Sequence, residues 1–180
     1  MKLDCDYLTD IKGKIVKAKR IIIHEIFQRT AHDSFLYDIA LVVIDDETPP
    51  DIEYPKMMDA ALEGDILSRK RYEPKVIGCG KNAFSRVAAL TNYLHRTTVR
   101  VVSNELCNMP KSYSGLVNDF ELCAGLDGAD ACQGDSGGPL VLWDDDHGYL
   151  LLGLVSWGGK LRRAEQAGRL CQVVCFSRMD

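Results

Sequence analysis

The feature that most constrains this chain is a succession of short apolar runs separated by turn-forming residues: Lys14 to Ile23, Ile39 to Ile44, Lys75 to Gly78, Thr98 to Ser103, Leu140 to Trp143, Tyr149 to Ser156 and Gln172 to Phe176. Most are about 5 to 9 residues long and rich in Val, Ile, Leu or aromatic side chains, which suit a pleated, half-buried surface. The expected fold class is therefore all-β, a barrel or a sandwich. No internal repeat and no low-complexity linker divides the chain. Its 180 residues suggest one domain, which would bury about 70% of the surface exposed by an unfolded chain of this size.

The runs Leu140 to Trp143 and Tyr149 to Ser156 flank Asp144-Asp145-Asp146-His147-Gly148, where Asp and Gly supply the turn conformations of a hairpin. Calcium takes six to eight oxygens, so three adjacent carboxylates read first as a loop and only second as a cation site. No metal or other cofactor is expected. Between Leu116 and Cys123 the pattern does not decide between irregular chain and a brief helix.

Acidic groups outnumber basic ones 26 to 22, a net charge of −4 spread along the chain. That leaves no basic footprint for nucleic acid or an anionic membrane. The longest apolar stretch, Tyr149 to Trp157, is far short of the roughly 20 residues of a spanning helix. Neither nucleic acid nor a membrane is expected as a partner. Asp4 and Asp6 fall where a signal peptide would carry its apolar stretch, so no export signal is read there. The seven cysteines include one Cys-x-x-x-Cys pair, Cys171 and Cys175, without the repeated Cys/His pairs of a structural zinc site. Disulfides, and hence an oxidising compartment, fit them better.

The densest chemical signal is Asp130-Ala131-Cys132-Gln133-Gly134-Asp135-Ser136-Gly137-Gly138-Pro139. Glycines on both sides remove side chains, so a backbone or a substrate can come close to Ser136. A serine hydroxyl is a poor nucleophile alone. It needs a base to take its proton, an acid to orient that base, and N–H donors aimed at the oxyanion. Gly134-x-Ser136-x-Gly138 matches the nucleophile elbow of α/β-hydrolases in letter, but an elbow runs straight into a helix and has its acid and histidine later in the chain. Here Pro139 and an apolar run follow, and the only later histidine is His147 in the expected hairpin loop.

Gly134 to Pro139 resembles the nucleophile motif of the trypsin-like (chymotrypsin-fold) serine proteases. Tyr37-Asp38-Ile39-Ala40-Leu41 resembles that family's aspartate motif, and Ser156-Trp157-Gly158 its substrate-binding strand. The three stand in the family's order, and the likeness runs from about Ile21 to Met179. The resemblance implies a two-barrel fold with the second barrel mostly present and the first truncated. Residues 1–180 would form one partial peptidase domain, with residues 1–20 poorly assigned. The implied activity is peptide-bond hydrolysis through an acyl-enzyme, with Ser136 as nucleophile, Asp38 orienting the base, and the N–H groups of Gly134 and Ser136 as the oxyanion hole.

By the same resemblance Asp135 would meet the new N-terminal amine formed on activation cleavage, the alternative being a turn-capping aspartate. Asp130 would sit at the base of the primary pocket and select Arg or Lys, because a buried carboxylate is costly to leave unpaired; otherwise it is a solvated loop acid. Gln133, Ser156, Trp157 and Gly158 would bind substrate, with Trp157 flooring the cleft while Ser156 and Gly158 pair with an extended peptide. The family's disulfides map onto Cys107 with Cys123 and Cys132 with Cys171, which leaves Cys5, Cys79 and Cys175 to be placed. Val174 falls where a glycine usually keeps the pocket open, which weakens the assignment to long basic side chains. A secreted location and a polypeptide substrate or inhibitor protein as partner are implied as well.

The base is the departure. The family histidine sits in a Thr-Ala-Ala-His-Cys segment well before the aspartate, and Asp38 lies too near Met1 to leave room for it. His24 resembles the family's non-catalytic histidine at a strand end, and His95 reads as a surface residue. His32 precedes Asp38 in the loop that overhangs the cleft, where it would face solvent or touch substrate. The family's activation site and closing helix are missing too: Arg20-Ile21-Ile22-Ile23 lacks the two glycines that follow in the family. The chain itself is therefore expected to be inactive, the alternative being a non-catalytic homologue that binds a partner through the inherited cleft. A half-built first barrel with unpaired strand edges, unable to fold stably, is a third outcome.

Overall fold

The computed structural model describes residues 2–3, 9, 14–31, 34–44, 53–58, 72–81, 91–125, 133–158 and 173–174. In chain order their strands are β1 (Lys2–Leu3), β2 (Lys14–Ile15), β3 (Ala18–Ile23), β4 (Gln28–Arg29), β5 (Phe35–Leu36), β6 (Ala40–Ile44) and β7 (Lys56–Met57). Then come β8 (Lys75–Gly78), β9 (His95–Thr98), β10 (Arg100–Val102), the single-turn helix α1 (Asn104–Cys107), β11 (Leu122–Gly125), β12 (Pro139–Asp144), β13 (Gly148–Leu154) and β14 (Val173–Val174). The all-β expectation is met.

The largest sheet runs β7-β13-β12-β8-β9, and its centre is the expected hairpin, with β12 and β13 paired antiparallel from Pro139↔Leu154 to Asp144↔Gly148. The acidic triplet is its turn. The buried Asp144 carboxylate accepts from the backbone N–H groups of Asp146 and His147 at 3.1 Å, and Gly148 takes φ +77°, the left-handed residue that closes such a loop. Leu140 and Leu142 point inward to meet Val76, Val99, Ala124, Leu150, Leu152 and Val155 in one core. Burying each such leucine contributes roughly 1.5–3 kcal/mol.

A second core forms where Cys107 and Cys123 are disulfide-bonded, their Cα atoms 6.6 Å apart, as the resemblance implied. Tyr113, Val117 and Trp157 pack around the bridge, with Phe35 against them. The irregular chain between α1 and β11 is held by asparagines. Asn104 donates to the carbonyls of Asn118 and Glu121 at 3.0 and 2.9 Å, and Asn108 both donates to and accepts from the Val117 backbone.

Some expected runs are cut differently. Lys14 to Ile23 breaks at buried Val16, and the run from Thr98 breaks at Val99, which is buried and donates its N–H to the Pro74 carbonyl. Leu116 to Cys123 is neither helix nor loop throughout: turns lead into β11, which pairs with β10 and β14. In the N-terminal part, β3 and β6 form a two-stranded ribbon with Ile21↔Val42 and Ile23↔Ala40 in register. Ile21, Ile23, Leu41 and Val42 stay exposed on it.

Candidate functional site

Ser136 sits exposed between Gly134 at φ +103° and Gly137 at φ +79°, left-handed conformations that favour glycine. Gly137 donates its N–H to the Val155 carbonyl at 2.7 Å, and Val155 returns a bond to the Gly138 carbonyl at 2.8 Å. Gly138 passes so close to the Ile77 carbonyl that a side chain there would collide with it. On the other side the Asp135 carboxylate accepts from the Gly80 N–H at 2.7 Å, and a Cβ on either Gly78 or Gly80 would run into that carboxylate. The Gly78-Cys79-Gly80 pattern announces close backbone approach, a signal that the sequence reading passed over.

Asp38 reaches the same place from the first half of the chain. Tyr37 takes φ +52°, a costly conformation for a bulky residue. Its ring is clamped between His24, at 4.9 Å, and Phe120, at 4.2 Å, both nearly parallel to it. The turn brings the Asp38 carboxylate to Ser156, whose hydroxyl donates to Oδ2. Ser156 follows Val155, the residue that pairs with Gly137 and Gly138, so the Ser136 and Asp38 segments converge on one strand end.

Trp157 is 8% exposed, meeting Tyr113 edge-to-face at 5.5 Å. Its indole N–H donates to Oε1 of Glu121 at 2.9 Å, while Oε2 of that carboxylate, 4% exposed, accepts from the Asn118 backbone at 2.7 Å. Sequence reasoning missed Glu121. Its signal is the period of two that puts it on the same face as Cys123, a carboxylate at a core-facing position. Gln133 and Gly158 are exposed, and the Gln133 carbonyl accepts from Lys81 N–H at 3.0 Å.

None of the described histidines meets Asp38 or Ser136. His24 is in the Tyr37 stack, His95 is exposed on β9, and Nδ1 of His147 lies 2.7 Å from Asp144. His32, Asp130, Cys132, Cys171, Cys5 and Cys175 lie outside the described residues, and with them the expected pocket acid and second disulfide. Val174 pairs with Leu122 at the edge of the β10-β11-β14 sheet. Among the described residues no cluster of three or more His, Cys, Asp or Glu is placed to hold a metal ion. No described helix is long and apolar enough to cross a membrane.

The family model for trypsin matches residues 8–174. The chain belongs to the trypsin family. It is 35% identical over 161 residues to transmembrane protease serine 11E of Mus musculus, covering 88% of this chain and 36% of that protein. With transmembrane protease serine 5 of Homo sapiens it shares 34% over 171 residues, 92% of this chain and 35% of the relative. With transmembrane protease serine 11G of Mus musculus it shares 34% over 144 residues, 79% of this chain and 33% of the relative. The chain thus spans about a third of the length of these relatives. Their names place trypsin-family members in membrane-attached proteins, which the expectation of a secreted protein with no membrane partner did not foresee.

Proposed function

We propose that this chain carries the nucleophile and orienting-acid framework of a trypsin-like serine endopeptidase and lacks the base that would make it active. The observation that carries this reading is the convergence of the Ser136 and Asp38 segments through Gly137, Gly138, Val155 and Ser156. In this reading Ser136 attacks the scissile carbonyl of a polypeptide and the N–H groups of Gly134 and Ser136 receive the oxyanion. Asp38 orients an imidazole, and Gln133, Ser156, Trp157 and Gly158 hold the substrate as an added strand. Asp130 selects Arg or Lys, with Val174 setting how long a side chain enters. The Cys107–Cys123 bridge supports work in an oxidising, extracellular-facing compartment.

Without a base the Ser136 hydroxyl keeps its proton, so the purified chain is expected to leave an arginyl amide uncleaved. Hydrolysis that Ser136→Ala abolishes would overturn the loss of activity. The described histidines, none of which bonds Asp38, favour a second reading as a non-catalytic homologue that binds its partner through the cleft. Added imidazole separates the two. Slow amide hydrolysis that depends on Ser136 supports the enzyme framework, whereas its failure despite peptide binding supports the homologue.

A further inference from the structure

The outer face of the five-stranded sheet is hollowed into a cleft of 980 Å³, within the size range of ligand sites. Leu140 and Leu142 of β12 belong to the core, while Pro139, Val141 and Trp143 alternate with them and line this cleft, together with part of Leu142. Among the described residues, none of those assigned to catalysis or substrate binding lines it.

The two ends of the cleft differ in chemistry. At the hairpin end Trp143 stands opposite Tyr149, their rings 4.8 Å apart at 74°, and they remain 55% and 43% exposed. The indole N–H donates to Oδ1 of Asp145 at 3.2 Å, which tethers the ring by its edge. Carboxylates gather there: Asp146 follows in the turn, and Glu73 lies two residues beyond the Lys75↔Val141 pair in the direction of Trp143. Neither Glu73 nor Asp146 has an ion-pair partner among the described residues. Lys75 lines the middle of the cleft level with Val141, and at the opposite end Arg96 pairs with Ile77, level with Pro139 and four residues, or about 13 Å, along β12 from Trp143, so the cations lie away from the hairpin end.

We propose that this cleft binds an extended polypeptide segment by seating an arginine or lysine side chain of the partner among Trp143, Tyr149 and the carboxylates of Glu73 and Asp146. Aromatic faces attract cations through the ring quadrupole, and the carboxylates add charge complementarity. Arg96 repels a second cation at the far end and accepts an acidic group, which sets the direction of the segment. The site is separate from the proteolytic reading and does not require Ser136.

The test uses the full chain with Ser136→Ala, so that nothing is cleaved, titrated calorimetrically with an acetylated Arg-Pro repeat peptide and, as control, a Glu-Pro repeat peptide. Saturable binding of the Arg-Pro peptide alone is expected, weakened about tenfold by Trp143→Ala. Asp146→Lys, at the exposed turn, is expected to give the same loss with circular dichroism and melting unchanged, which separates lost binding from lost folding. Absence of binding, equal binding of the Glu-Pro peptide, or binding indifferent to both substitutions overturns the proposal. Binding lost on Asp130→Asn but kept in Trp143→Ala places the peptide in the substrate cleft and overturns it as well.

Discussion

Glu121 shows how one buried carboxylate holds a segment of chain in place, here the one that carries Trp157. Its Oε1 accepts from the Trp157 indole and its Oε2 from both the backbone N–H and the side-chain amide of Asn118, on a side chain almost wholly shielded from water. Glu121→Ala would strand the Trp157 indole and the Asn118 backbone N–H and remove one bond of the Asn118 amide, and each buried unsatisfied group costs about 1–3 kcal/mol. The variant is therefore expected to lose on the order of 2 kcal/mol or more in urea unfolding, with Trp157 emission shifted to the red. Glu121→Gln should lose less, because its carbonyl oxygen still serves one donor. Tyr37 works in the opposite sense, as a strained backbone held by the His24 and Phe120 rings so that Asp38 points at Ser156.

At the scale of elements, β12 presents neighbouring residues to two environments. Leu142→Ala is expected to cost about 2–5 kcal/mol by opening a cavity in the core. Trp143→Ala beside it forfeits an edge-to-face contact of about 0.5–1.5 kcal/mol, an exposed hydrogen bond and partial burial, and is expected to cost less because the side chain is already 55% exposed. Denaturant midpoints of the two variants compare them directly, and a larger loss at Trp143 would contradict the placement of that face. This hairpin was legible in the sequence because its two apolar runs and Asp-rich turn carry their own pattern, as does the run Lys75 to Gly78. β9 was not legible from His95 to Thr97, since a polar His-Arg-Thr segment is a strand only through its ladder with β8. β11 was hidden for another reason: Glu121 interrupts the apolar pattern, and the turns before it depend on Asn104 and Asn108 reaching across the chain. The site divides the same way. Ser136 and Asp38 stand in local motifs, whereas Glu121, Tyr37, Gly78 and Gly80 matter through contacts distant in sequence.

For the whole molecule, the β3–β6 ribbon is the exposed flank. Two strands alone are marginal in water, and this pair leaves Ile21 61% and Ile23 60% exposed. Such an edge templates pairing with another chain. Sedimentation of the purified chain is expected to show concentration-dependent association that Ile21→Lys together with Leu41→Lys suppresses; unchanged association in that variant would move the contact elsewhere.

The bond between Asp38 and Ser156 spans 118 positions of sequence. Closing a loop of that length costs about 4 kcal/mol of chain entropy. During synthesis Asp38 is made 118 residues before Ser156, so the two cannot meet until Ser156 has been delivered. The juncture of the two segments is thus closed to any shorter nascent chain, however well its first half has folded.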